Sequence, residues 1–530
     1  MPCSHCIPTF RALPKLKECK LLSKVRSNQF HAESQRSQLN ELVSNAEKDL
    51  LKYEETIARL NEMMVTLENE RRNLNRQVYF AKSLMAPIRK LPPEILRQIF
   101  IAHGDTNSID SSGCDVPGLK VASICSHWRA IALDTTALWT DISLVIGKET
   151  HYNQRHVSLV ETLLSLSARS CLSIHIKSES GNTPVPPFLP LICEQATRWK
   201  CLTGSCYEQG SVLDALASIK GHLGSLQAFQ LMGPFDECSA LVEGAPKLDT
   251  LALNVIDSKS ASIPWNQIVD LTLENSSVAQ ISQSLLKLPK LENLAVTYLF
   301  DDDDWDELVQ SHLNCLSIVL SVQEDETAMT KLFKVLTLSR LRSLSIQCIG
   351  QYKTNQGELR WSSNELPSLI SRSCHLITSF SLEYTWMCTV DLVALLQCMP
   401  ALAELTICEP SYEDSDTPPM VNDRFLWSIN CHRNQHHNQQ PFLTHLTSFT
   451  LEVDRLAFSM SVFVGAIHSR WTPSSLVEDE MACIKTVSLD TNDSIDPSTV
   501  RSLLMLRQRG LDIIIGDKDG AVLCDGEAEA

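Results

Sequence analysis

A chain of 530 residues is longer than one hydrophobic core usually holds, so it points to several domains or one extended repeat. Its 46 Lys plus Arg against 63 Asp plus Glu give a formal charge of -17, which repels phosphate backbones and excludes general nucleic-acid binding from the expected roles. No apolar run approaches the roughly 20 residues that a bilayer demands, so no membrane partner is expected. Nineteen scattered cysteines, with no apolar signal segment at the start, suit reduced thiols in the cytoplasm or nucleus better than a disulfide framework.

Residues 1–32 are expected to be a disordered N-terminus. "CSHC" at 3–6 has the spacing of half a zinc site, but Cys19 and His31 make no second pair, so no metal is expected. Residues 33–86 read as a coiled-coil helix, in which a heptad runs without a slip from Arg36 to Ala81. Its a positions are Arg36, Val43, Leu50, Ile57, Met64, Arg71 and Val78, and its d positions are Leu39, Ala46, Tyr53, Leu60, Leu67, Leu74 and Ala81. Twelve of these fourteen are apolar and no Pro or Gly interrupts them, as a coiled-coil seam requires. Such a helix cannot bury its stripe alone. Either it pairs, which allows a homodimer, or it rests on the rest of the chain.

Pro87, Pro92 and Pro93 end that helix, and a prolyl first turn with Glu94 starts another, in which Ile95, Leu96, Ile99 and Phe100 fall on one face. Residues 102–118 are polar turn formers and read as a loop. A second helix, "LKVASICSHWRAIALD", follows, and "TTALWTDISL" passes from a turn into strand-like alternation.

From 150 to 520 an apolar triplet at i, i+3 and i+5 recurs ten times. The copies begin at Leu226, Leu248, Ile268, Leu291, Leu313, Leu341, Ile377, Leu402, Leu446 and Ile484. The first intervals of 22, 20, 23 and 22 residues match a leucine-rich repeat, and later ones of 28, 36, 25, 44 and 38 carry insertions. "CLSIHI" at 171–176 and "RWKCL" at 198–202 read as divergent first repeats. Each unit supplies one strand and one helix, and only stacking buries both apolar faces. Residues 521–530 read as a flexible acidic tail.

"DDDDWDE" follows one strand-like triplet and offers Asp301, Asp302, Asp303, Asp304 and Asp306 to a basic partner segment, or stands as a solvated insertion. It lacks the Gly and distal Glu of a calcium loop. "CHRNQHH" at 431–437, with His445, reads as a polar insertion. No phosphate-cradling, nucleophile-elbow or zinc-protease motif appears, so neither a cofactor nor catalysis by this chain is expected.

The unit at 88–145 resembles an F-box. "LPPEILRQIF" matches its first helix, "VASICSHWRAIALD" its second, and "LW" at 138–139 its close; the departure is the long polar loop. The whole arrangement resembles the expanded F-box families of mushroom-forming fungi. The implied fold is an α/β solenoid, an irregular leucine-rich-repeat horseshoe, preceded by a small all-α F-box unit and a long coiled-coil helix. The implied role is that of a substrate-recognition subunit of an SCF-type ubiquitin ligase, joining a Skp1-like adaptor and its cullin complex to a protein substrate. By matching positions, Leu91, Pro92, Ile95, Leu96, Ile99, Val121, Cys125, Trp128 and Ile131 would form the adaptor interface or its supporting core. Trp128 suits either role. The alternative is a coiled-coil and leucine-rich scaffold acting outside any ligase.

Overall fold

The computed structural model describes residues 26–27 and 33–523, apart from 105, 111–112, 148–151, 179–184, 207–210, 234, 255–262, 302–304, 306, 322–325, 350–364, 374–375, 386, 411–418, 432–441, 472–480 and 518–519. The described chain falls into two compact units, residues up to 96 and residues from 97 onward.

The first unit is dominated by one uninterrupted helix, α1 (Glu33–Met85), of 53 residues. At 1.5 Å per residue it extends about 80 Å. It stops where the heptad meets its first proline: Ala86 turns to φ -58°, ψ 133°, and Pro87–Lys90 form one tight turn. Arg89 donates from Nε to the Ser83 carbonyl at 2.7 Å, which satisfies one of the acceptors the helix end leaves open. The next helix, α2 (Pro93–His103), begins with Pro93 in its first turn, and the Pro92 carbonyl accepts from the amides of Ile95 and Leu96, both at 3.1 Å. Its sequence spans the division between the units.

The second unit is a mixed structure of helices and one large, mostly parallel sheet. In chain order its first elements are β1 (Asn107–Ile109), β2 (Cys114–Asp115), α3 (Pro117–Ala122), α4 (Ser126–Asp134) and β3 (Asp141–Ile146). Then come α5 (Gln154–Leu166), β4 (Leu172–Ser178), α6 (Leu189–Cys193), β5 (Trp199–Cys206), α7 (Ser211–Leu216), β6 (Ala228–Met232), α8 (Phe235–Leu241), β7 (Thr250–Leu253), β8 (Asp270–Ser277), α9 (Val278–Lys287) and β9 (Asn293–Phe300). The pattern continues through β10 (Val309–Ser311), β11 (Cys315–Ser321), α10 (Glu326–Val335), β12 (Leu336–Leu338), β13 (Ser343–Ile349), α11 (Glu365–Arg372), β14 (Ser379–Glu383), α12 (Thr389–Gln397) and β15 (Glu404–Cys408). It closes with α13 (Asp423–Ile429), β16 (Ser448–Val453), α14 (Met460–Trp471), β17 (Thr486–Thr491), α15 (Pro497–Gln508), β18 (Asp512–Asp517) and β19 (Gly520–Leu523).

From β3 to β18 successive strands of the sheet pair in parallel, β1 adds in parallel to β3 and β19 antiparallel to β18, while β10 and β12 pair with each other. The middle residues of the triplets form one continuous ladder. It runs Phe229, Leu251, Leu271, Leu294, Leu316, Leu344, Phe380, Leu405, Phe449 and Val487. Every one of these side chains is buried. Successive strands therefore present the same apolar row to the helices, and each large aliphatic or aromatic side chain so buried contributes on the order of 2 kcal/mol.

The ladder also extends beyond the copies legible in the sequence. Ile142 pairs with Ile174 and Ile174 with Leu202 at one end, and Val487 pairs with Ile513 at the other. "CLSIHI" and "RWKCL" thus lie on β4 and β5, in register with the later copies. In the second of these the third triplet position is Gly204, at φ +133°, where a Cβ would run into the Ile176 carbonyl oxygen.

Three expectations for the region before β4 need correction. The polar stretch 102–118 is not all loop: β1 lies parallel to β3, with Asn107 opposite Ile142, and antiparallel to β2. Asn107 fixes this by donating from Nδ2 to the carbonyls of Leu138 at 3.0 Å and Asp141 at 2.8 Å. The segment is accordingly not all-α. The expected single second helix is two, α3 and α4, because Cys125 is extended (φ -159°, ψ 167°) and caps α4, its Sγ accepting from the Trp128 amide at 3.4 Å. β3 pairs along its length with β4.

Candidate functional site

Two surfaces of this chain are candidates for binding, one built on short helices and one on the sheet. The helical one lies in the second unit, between Arg97 and Trp139, where the helix α2 that begins in the first unit continues. Ile95, Leu96, Ile99 and Phe100, read as one apolar face, are divided by the fold. Leu96 is 1% exposed and Phe100 is buried with it, whereas Ile95 is 40% and Ile99 38% exposed. One residue turns a helix by about 100°, so the two i, i+4 pairs look in different directions.

The other matched positions sort in the same way. Val121 and Ile131 are buried, Leu91, Cys125 and Trp128 are half-buried, and Pro92 is exposed. Trp128 meets Phe100 with the rings tilted by 53° and centroids 5.0 Å apart, and leaves part of itself at the surface. Leu119, on α3, and Ile124, just beyond it, are also exposed. Arg97 and Asp134 form an ion pair of 2.5 Å between α2 and the end of α4.

Beneath α3 and α4 lies Trp139, fully buried, which donates from Nε1 to the Ala132 carbonyl at 3.0 Å. Gly118 sits flat on its ring: a Cβ there would come within 2.7 Å of the indole. Trp139 is also the residue three before Ile142 and five before Leu144. It therefore occupies the first position of one more apolar triplet, on β3. The side chain that closes the helical segment also opens the repeat.

The second surface was not legible as a site in the sequence. On β11 and on β13 to β17 the residue between the second and third triplet members points away from the helices. It forms a row of small hydroxyl side chains running Ser317, Ser345, Ser381, Thr406, Thr450 and Ser488. All are half-exposed. The signal for this row was the small or polar residue inside the later triplets.

The next row runs Gln347, Glu383, Cys408, Glu452 and Asp490 and is acidic. Tyr384, at φ +52°, donates from its hydroxyl to Glu452 Oε1 at 2.9 Å, and Ser381 donates to Glu383 Oε1 at 2.6 Å. Burial, reinforced by Glu452, pushes the Tyr384 hydroxyl up to about 12. Burial likewise, with Glu452 and Glu383 beside it, pushes the Cys408 thiol up to about 12. Both keep their protons at neutral pH, so this face offers hydrogen bonds and carboxylates rather than a nucleophile. Cys193 and Cys206, raised by burial to about 11, are equally inert.

Behind this face, Glu409 is buried and accepts from the Val421 amide at 2.7 Å. Burial raises its carboxyl to about 7, against the downward pull of the Val421 and Met420 amides. Arg470 is buried, and among the described residues no carboxylate pairs with its guanidinium. It donates to the carbonyls of Ile429 (2.9 Å), Leu443 and Phe442, and so ties the chain on either side of the insertion between β15 and β16.

Of the acidic loop, Asp301 directly follows β9 and pairs with Lys331 of α10 at 2.9 Å, both side chains mostly covered. Asp302, Asp303, Asp304 and Asp306 lie outside the described residues, as do "CSHC" and most of "CHRNQHH". Among the described residues no group of three or more His, Cys, Asp or Glu could hold a metal ion, and no helix is long and apolar enough to cross a membrane.

No family model and no curated protein matches the chain. Among solved structures, the crystal structure of the Rad7 and Elc1 complex in yeast is similar over 84% of this chain and 92% of that one, at 13% sequence identity and a TM-score of 0.33. A likeness of that score carries no argument about this chain.

Proposed function

We propose that this chain is a non-catalytic recognition subunit of an SCF-type ubiquitin ligase. Residues 93–139 would dock a Skp1-like adaptor within a cullin complex, and the leucine-rich region would bind the target protein. The observation that carries this reading is the division of α2: Leu96 and Phe100 anchor the helix while Ile95 and Ile99 stay exposed. A helix that holds two isoleucines in water has the makeup of a docking anchor.

The leucine-rich-repeat horseshoe is the architecture that best accounts for the continuous triplet ladder. Its hydroxyl and carboxylate face is then the surface for the target. That face is polar and acidic, which favours a target segment bearing Lys or Arg. Catalysis would be proximity, the receptor raising the local concentration of a target lysine near a charged conjugating enzyme. The compartment proposed is the cytoplasm, the nucleus or both.

Trp139 supports a second reading. Because it serves both the helical segment and the first triplet, residues 93–146 could exist as a structural cap for the repeat, within a scaffold acting outside any ligase. Co-purification of Skp1 with the tagged full chain separates the two. Retention by the unsubstituted chain, lost at least about tenfold in Ile95→Asp/Ile99→Asp with folding intact by circular dichroism, supports docking. No retention by the unsubstituted chain leaves the cap reading.

A further inference from the structure

The seam of α1 stands open to solvent. Along the a and d positions Leu50 is 60% and Leu67 61% exposed, and Val43, Ile57, Leu60, Met64, Leu74 and Val78 are exposed with them. An apolar stripe of this length needs a cover, and the residues beside it say what kind. Between Val43 and Val78 the flanking e positions are Glu47, Glu54, Asn61, Glu68 and Asn75, and the g positions are Asp49, Thr56, Met63, Glu70 and Gln77. They hold five carboxylates and no cation. Outside the a position Arg71, the cations of this stretch, Lys48, Lys52, Arg59, Arg72 and Arg76, all fall on the outer b, c and f positions. Lys52 reaches back to one flank carboxylate, Asp49, at 3.0 Å.

This arrangement disfavours a second copy in either direction. In a parallel pair g faces the following e of the other helix, so Asp49 would meet Glu54 of a second copy, and no g–e pair in this span is of opposite charge. In an antiparallel pair centred on Ile57 opposite Leu60, Glu47 would meet Glu68 and Asp49 would meet Glu70, each twice. Like charges across a seam repel, and flank charges set partner choice.

We infer that the seam of α1 takes a helix of a different protein, an amphipathic helix with an apolar heptad stripe whose e and g flanks carry Lys or Arg. Such a helix covers the stripe and meets the carboxylate flanks with opposite charge. The inference concerns α1 alone and stands or falls independently of adaptor docking by α2.

The test uses the full chain and three synthetic peptides of about five heptads. One has Ile and Leu at a and d with Lys at every e and g, the second has Glu at those flanks, and the third has the composition of the first in scrambled order. Fluorescence anisotropy should show the Lys-flanked peptide binding at least about tenfold more tightly than the other two, with its advantage shrinking as salt rises. Replacing the flank acids (Glu47→Lys, Glu54→Lys, Glu68→Lys, Glu70→Lys) leaves the seam intact and should reverse the ranking. Leu60→Asp/Leu67→Asp should abolish binding of all three. Equal binding of the scrambled peptide, unchanged ranking in the charge-reversed chain, absence of binding, or a full chain that sediments as a dimer would each overturn the inference.

Discussion

The helix α1 and the parallel sheet treat the same commodity, an apolar periodicity, in opposite ways. In the sheet every leucine that enters the ladder is covered by the helices of its own chain, so Phe380, Leu405, Phe449 and Val487 are all buried. In α1 the heptad leucines from Leu50 to Leu74 face water. The difference lies in what one unit can bury. A strand followed by a helix folds back on itself and stacks on its neighbours, whereas a straight helix has no second element to close over its stripe. The sheet's apolar rows are accordingly a matter of stability, and those of α1 are a matter of partners.

Core deletion in the sheet tests this contrast most severely. Phe449→Ala removes a fully buried ring between Leu405 and Val487 and should cost about 3 to 5 kcal/mol in urea unfolding. A loss below about 1 kcal/mol would place Phe449 with α1 rather than with the core. Next in size is Arg470→Met, which leaves the Ile429, Leu443 and Phe442 carbonyls without their donor and should lower stability by roughly 3 kcal/mol in the same assay.

Glu409→Gln sharpens the comparison through pH. The carboxyl rises from 4.5 to about 7 on folding. Below the lower value both folded and unfolded chains hold the proton. Between the two only the folded chain does, so the unsubstituted protein should lose roughly 2 to 3 kcal/mol as pH climbs from about 5 to 7 and then level off. The Gln variant keeps the acceptor for the Val421 amide and should lack that slope, which melting temperatures across the pH range would read. The smallest effect belongs to α1: Leu67→Ala in the isolated full chain should shift stability by under about 0.5 kcal/mol, while weakening any partner of the seam. A large shift would mean that the stripe is covered by its own chain.

Much of this protein is legible from local pattern. The heptad from Arg36 to Ala81 lies within α1, and the helix ends at Met85 because proline at 87 removes a donor and bars continuation. The ten triplets fall on strands in one register, because period 2 alternation with a fixed offset leaves only one way to bury both apolar residues. The polar loop before β3 was misread for the opposite reason. Asn107 and Ser108 have no strand propensity of their own, and the pairing with β3 that makes them a strand is a contact from more than thirty residues away.

The candidate sites divide along the same line. The resemblance could assemble Leu91, Pro92, Ile95, Leu96, Ile99, Val121, Cys125, Trp128 and Ile131, but not say which of them face water. Burial is a property of what packs against a side chain, and neighbours in sequence 100° apart on a helix meet different surroundings. The hydroxyl and carboxylate rows could not be seen at all as a surface, since each contributes one residue per strand and only the parallel register lines them up. The sequence by itself determined the helix, the repeat and the acidic flanks of the seam, all carried by nearest-neighbour geometry. The tertiary structure decided which isoleucines are exposed, where the sheet begins and what its open face displays, because those depend on pairings between residues far apart in the chain.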